Sequence, residues 1–135
     1  MPTRLNPYLT FDGDARQALE FYQGIFGGEL AVNTFAEMGM PEGPDADKIM
    51  HGMIESGSLT LMAADNPPGN DYRRGNDLAV SLSGEDGDTL RGWWGQLSDG
   101  GNVMVPMEKQ MWGDEFGMCE DRFGVTWMVN ITQPG

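Results

Sequence analysis

His51 is the chain's one histidine, and imidazole is the side chain best suited to moving a proton near neutral pH. If its ring faces a cleft it could hydrogen-bond a ligand or act as a general base, with Tyr8 or Glu55 as a second proton-transfer group. The alternative is a histidine satisfied by the backbone at a module junction. With one histidine and no orienting carboxylate fixed by the sequence, the structural alternative is the stronger of the two. Cys119 is the only cysteine, so no internal disulfide can form. A reactive thiol needs a base or a cationic neighbourhood, whereas Cys119 sits between Met118 and Glu120, as a structural, half-buried cysteine would. One histidine without a local serine motif argues against a serine nucleophile, and no phosphate-cradling glycine run opens a helix.

The elements that must position these residues are written twice. "HGMIESGSLTLMAAD" runs from His51 to Asp65 and "FGMCEDRFGVTWMVN" from Phe116 to Asn130. Each opens on a ring, then Gly-Met, and passes through a turn into a second apolar run. Around the first copy the patterning predicts a strand over Leu5–Phe11 and a helix in which Ala15, Ala18, Leu19, Tyr22, Ile25 and Phe26 recur at helical spacing, stopped by Gly27-Gly28. A strand over Leu30–Phe35, a loop over Glu37–Asp47, and a hairpin of Ile49–Glu55 and Leu59–Ala64 around Ser56-Gly57-Ser58 follow. Around the second copy it predicts a strand over Leu78–Ser83, a helix over Asp88–Leu97 stopped by Gly100-Gly101, and strands over Val103–Met107, Phe116–Cys119 and Val125–Ile131. Asp or Thr near each helix start is expected to cap free amides.

This is βαβββ twice, an internal duplication. The fold class is therefore α+β: two βαβββ modules, 4-65 and 77-132, joined by the linker 66-76 into a single domain over 1-135. A four-stranded sheet covered by one helix leaves its other face bare, so two such curved mixed sheets are expected around a cleft. Uncovered sheet edges invite pairing, and a homodimer is expected.

Along the last strand Thr126, Met128 and Asn130 share one face, opposite Val125, Trp127, Val129 and Ile131. The aliphatic set suits the helix-packed face, and the mixed set a cavity wall, where Thr60, Met62 and Ala64 are the counterparts in the first module. Tyr8, Met53 and Trp112 are further candidate lining, and Phe116 fills in the second module the slot that His51 fills in the first. For each methionine and aromatic ring core packing is the competing reading. As a set they describe an adaptable, mostly apolar pocket with few polar anchors. The segments Glu37–Lys48 and Glu108–Phe116 could cover it as lids.

Charge excludes some partners. Eight basic residues against 21 acidic give −13, a surface that repels phosphate backbones, so nucleic acid is not an expected partner. It would favour a cationic ligand if some of the acids faced the cleft; otherwise it is a solvated coat. No run approaches the roughly 18 apolar residues of a membrane span, and no charged-then-apolar leader opens the sequence, so a cytoplasmic protein is expected, without membrane partners.

The stretches "NPYLTFDGDARQALEFYQGIFGGEL", "LMAAD", "WWGQLSDGG" and "MWGDEFGMCEDRFGVTWMVN" resemble, in order, the vicinal-oxygen-chelate (glyoxalase/bleomycin resistance/dioxygenase) superfamily, and within it the PhnB-like group, historically called 3-demethylubiquinone-9 3-methyltransferase-like. Trp112, Phe116-Gly117, Asp121, Phe123-Gly124 and Trp127 keep that group's spacing. The resemblance implies either a metal-dependent enzyme or a binding protein. In the metal enzymes four His, Gln or Glu ligands come from equivalent strands of both modules. The corresponding positions here are Pro7, Leu61 or Met62, Leu78 or Ala79, and Trp127 or Met128, none of them His, Asp or Glu. No metal and no cofactor is therefore expected. The expected function is binding of a small apolar or cationic molecule in the inter-module cleft, with a lyase or isomerase using His51, or a metal site not recognised in the sequence, as the alternative.

Overall fold

The computed structural model describes residues 3–39, 43, 45–57, 59–67 and 69–133. Residues 40–42 and 44 of the expected Glu37–Asp47 loop, Ser58 of the hairpin turn and Pro68 of the linker lie outside them. The chain divides into two compact units, Met1–Arg74 and Gly75–Gly135.

Unit 1 holds β1 (Tyr8–Phe11), α1 (Ala15–Phe26), β2 (Glu29–Thr34), β3 (Ile49–Ser56) and β4 (Leu59–Asp65). Its sheet order is β1-β4-β3-β2, with β1 parallel to β4 and the other pairs antiparallel. Unit 2 holds β5 (Val80–Gly84), α2 (Gly87–Ser98), β6 (Asn102–Lys109), β7 (Glu115–Glu120) and β8 (Thr126–Ile131). Its order, β5-β8-β7-β6, repeats that of unit 1 strand for strand. The α+β class and the two four-stranded mixed sheets are as the patterning predicted.

In each unit the helix lays its apolar stripe on one sheet face. Ala15, Ala18, Leu19, Tyr22 and Ile25 of α1 are buried, the i, i+3, i+4 set of an amphipathic helix. Leu90 and Leu97 do the same in α2. Gly28 and Gly101 follow the two helices at matched places. A Cβ would stand 2.2 Å from the Glu55 carbonyl oxygen at Gly28 and 2.1 Å from that of Glu120 at Gly101, so the chain leaving each helix lies directly on the hairpin backbone.

The helix starts differ from expectation in one case. Asp86 caps α2, accepting from the Thr89 amide at 3.2 Å and the Thr89 hydroxyl at 2.7 Å. Asp14 makes no such bond. The start of α1 is held by Asp65 at the end of β4, whose Oδ1 accepts from the amides of Gly13 (2.9 Å) and Ala15 (3.0 Å) and whose Oδ2 accepts from Ile49 (2.9 Å).

Strand boundaries move for identifiable reasons. The strand expected from Leu5 starts at Tyr8, because Pro7 has no amide to donate and Leu5 is fully exposed. The strand expected from Leu78 starts at Val80, where pairing with Trp127 begins. β6 runs beyond Met107 to Lys109, with register shifts on either side of Val105; an edge strand tolerates Pro106 in this way. Glu108–Phe116 is consequently not a loop. Its ends are paired in β6 and β7, and Gln110–Asp114 is a hairpin tip closed by the Gln110 amide on the Asp114 carbonyl at 2.8 Å.

Candidate functional site

Strand alternation decides which side chains face away from the helices. In β3, Gly52 faces α1, since a Cβ there would meet Leu19, and Ile54 is buried. His51, Met53 and Glu55 therefore face the other way. In β4, alternation puts Leu61 and Ala63 on the helix side and Thr60, Met62 and Ala64 on the open face, with Ala64 itself buried there. Register sets Tyr8 beside Met62, and Met62 beside Met53.

Tyr8 and His51 meet on that face. The Tyr8 hydroxyl lies 3.4 Å from His51 Nδ1, and the ring centroids are 5.9 Å apart at 35°. Ala64, next along β4 from the Gly52–Ala63 pair, is the small residue of the strand between theirs. Arg4 donates to the Thr60 hydroxyl at 3.0 Å on the same face. Glu55 does not join the Tyr8–His51 pair. It stands opposite Thr60 and Glu29, four residues from His51, or about 13 Å along an extended strand.

Unit 2 repeats the arrangement with different chemistry. Thr126, Met128 and Asn130 are half-buried, alternating with buried Trp127, Val129 and Ile131. Met128 pairs with Met118, and Asn130 with Phe116. The Trp112 ring stands 6.2 Å from that of Phe116, with Trp112 itself 60% exposed at the hairpin tip. The Asn130 amide donates to Asp114 at 3.0 Å, and Asp114 also accepts from the Gln133 amide. Those two bonds, the first most, hold the Asp114 carboxyl below its ordinary value.

The residues singled out in the sequence thus fall into two groups: Tyr8, His51, Met53 and Met62 on one sheet, Trp112, Phe116, Met128 and Asn130 on the other. Met118 was missed, although the repeat that matches His51 to Phe116 also matches Met53 to Met118. Arg4 was missed because it precedes the patterned elements.

Other chemistry is weak. Cys119 is buried on the helix-facing side of β7, and burial, with a smaller contribution from Asp121, pushes its thiol up to about 11. Asp121 accepts from the amides of Phe123 (2.8 Å) and Val125 (3.1 Å) and from the Trp127 indole (2.8 Å), so its place in the family-like spacing is structural. A recess of about 270 Å³ at the start of α2, lined by Glu85, Asp86, Asp88 and Arg91 among others, lies outside this set, and its Arg91 is engaged by Glu115.

The donor set does not fit a resident divalent cation. At the positions that the family resemblance gives to ligands, unit 1 has Tyr8 and Met62, with His51 the one nitrogen donor beside them, and unit 2 has Ser81 (opposite Met128; the strand register moves this position from Leu78 or Ala79) and Met128. Hydroxyls and thioethers are poor ligands for such ions. Among the described residues no three His, Cys, Asp or Glu side chains are placed to hold a metal together.

The sequence pattern of the Glyoxalase/Bleomycin resistance protein/Dioxygenase superfamily matches residues 4–129. Protein YjdN of Escherichia coli (strain K12) is 31% identical over 144 residues, spanning 96% of this chain and 95% of that protein. Among solved structures, protein PA1353 from Pseudomonas aeruginosa is 38% identical with a TM-score of 0.87, covering 98% of this chain and 100% of that one. The PhnB protein from Bacillus cereus shares the fold at 18% identity, with a TM-score of 0.77 over 96% of this chain and 100% of that one.

Proposed function

Because the chain belongs to the Glyoxalase/Bleomycin resistance protein/Dioxygenase superfamily, we propose that it is a PhnB-like protein that binds a small, mostly apolar molecule without the metal of the superfamily's enzymes. The observation that carries this reading is that two methionine pairs, Met53–Met62 and Met118–Met128, stand as cross-strand register partners at matched places on the two open sheet faces. Methionine is flexible and polarisable, so it moulds to ligands of varied shape. Tyr8, His51, Trp112, Phe116 and Asn130 supply rings and a few polar anchors beside it.

A screen of apolar small molecules by thermal shift tests it. Binders are expected whose affinity falls at least tenfold in Met62→Lys and in Met128→Lys. Binders indifferent to both substitutions would refute it. The proposal also includes a homodimer, and light scattering should then return twice the 14.8 kDa chain mass.

A second reading, a lyase- or isomerase-type enzyme, is favoured by the approach of Tyr8 to His51 at 3.4 Å, a little beyond the roughly 2.6–3.2 Å over which a proton is handed on and of the kind that tightens when substrate binds. Turnover abolished by His51→Ala would establish it. Binding that survives His51→Ala without turnover supports the first reading. No helix among the described residues is long and apolar enough to cross a membrane.

A further inference from the structure

We infer that the Tyr8–His51 pair selects ligands that carry an accepting oxygen at one end of an apolar body, an inference that rests on the small-molecule reading above and narrows its ligand class. Of the two groups the phenol is the stronger proton donor and the neutral imidazole nitrogen the better acceptor. Tyr8 therefore donates to Nδ1, and the imidazole proton resides on Nε2. Among the described residues the ring makes no other hydrogen bond. Nε2–H is left as a donor, and it asks for an acceptor.

The surroundings agree. The open-face neighbours are Thr10 from β1, Asn33 from β2, and Met62 and Ala64 from β4, none of them ionisable. The carboxylates on this sheet face, Glu29 and Glu55, stand opposite each other toward the far end of β3. Arg4 is bonded to Thr60 directly across from Glu55. In a chain of charge −13, the described sheet face around the pair is thus uncharged, part apolar (Met53, Met62, Ala64) and part neutral polar (Thr10, Asn33). A cationic head would find, among the described residues of this sheet face, only the neutral oxygens of Thr10 and Asn33 beside the pair and no carboxylate, whereas a carboxylate or carbonyl oxygen would meet Nε2–H with its hydrocarbon on Met53 and Met62. Tyr8 is 51% exposed, so the pair is reachable.

A single histidine gives a single imidazole spin system, which makes the test direct. Nitrogen-15 long-range correlation spectra fix the tautomer, and titrations compare octanoate with octylammonium, two amphiphiles of equal body and opposite head. The expected result is an Nε2–H tautomer, a shift of Nε2 on adding octanoate, and at least fivefold tighter binding of octanoate. Tyr8→Phe, and His51→Phe with the ring that Phe116 places in the second module, should remove the preference for octanoate over octylammonium. An Nδ1–H tautomer, or octylammonium binding as tightly as octanoate, overturns the inference and leaves the binding reading standing. If neither amphiphile binds, the binding reading fails and takes the inference with it.

Discussion

At the scale of the residue, buried carboxylates organise the backbone, Asp121 in unit 2 as Asp65 does in unit 1. Asp121 gathers two amides and the Trp127 indole within the β7–β8 turn. Asp121→Asn would set an amide NH₂ against one of these donors, and a buried donor left unmatched costs about 1–3 kcal/mol. Urea unfolding should show a loss of that size; a loss below about 0.5 kcal/mol would mean that other groups hold the turn. Cys119 tests burial separately. Its thiol is raised from 9.0 to about 11 in the folded chain. The unfolded thiol ionises first, so this contribution to stability is full below pH 9 and is lost as pH rises from 9 toward 11. Iodoacetamide at pH 8 should leave the native thiol unmodified and alkylate it rapidly in denaturant. Fast native labelling would contradict the burial. Cys119 was legible as structural from its neighbours alone. The role of Asp121 was not, because its partners are fixed only when the turn closes.

The element scale shows where local sequence suffices. Helix ends at Gly27 and Asp99, and hairpins at both copies of the repeat, follow from punctuation and periodicity, and these were legible. The cap of α1 was not. Asp14 has the right type and place, yet Asp65, fifty residues away, holds the Gly13 and Ala15 amides and ties in Ile49 of β3 as well. A local rule cannot see a partner that arrives with the sheet. Asp65→Ala should therefore loosen α1 and β3 together. Hydrogen exchange would show the Ala15 and Ile49 amides losing protection in parallel, and protection lost at one alone would separate the two roles. Gly28 makes a second test. With φ of +85° and the Glu55 carbonyl 2.2 Å from any Cβ, Gly28→Ala should cost roughly 2–4 kcal/mol through strain and forced backbone movement. The same element logic explains the misread hairpin tip. Edge strand β6 carries its pairing to Lys109, two residues past Met107, where the patterning ended the strand.

For the whole molecule, charge and ligand binding set the expectations. Asp86, Asp114 and Glu115 are each held below their ordinary values, by the hydroxyl of Thr89, by Asn130 and by Arg91 respectively. Their contributions are present above the unfolded values and lost as pH falls below about 4. At neutral pH the charge of −13 is self-repelling, so raising salt from about 0.05 to 0.5 M should raise Tm. A Tm that falls with salt would show that specific ion pairs outweigh the repulsion. The two open faces were legible as residue sets, since alternation along β8 and the repeat placed Met62 and Met128. The Tyr8–His51 contact was not, because it spans three strands and depends on the register of β1 against β4.

The most direct measurement is the methyl spectrum of methionine-labelled protein during titration with apolar small molecules. Small-molecule binding on the open faces predicts that Met53 shifts together with Met62, and Met118 together with Met128, each pair to saturation, while Met111, 99% exposed, stays where it was. A binder that moves only Met111 and other exposed methyls, or a spectrum that no member of a broad apolar set disturbs, would contradict it.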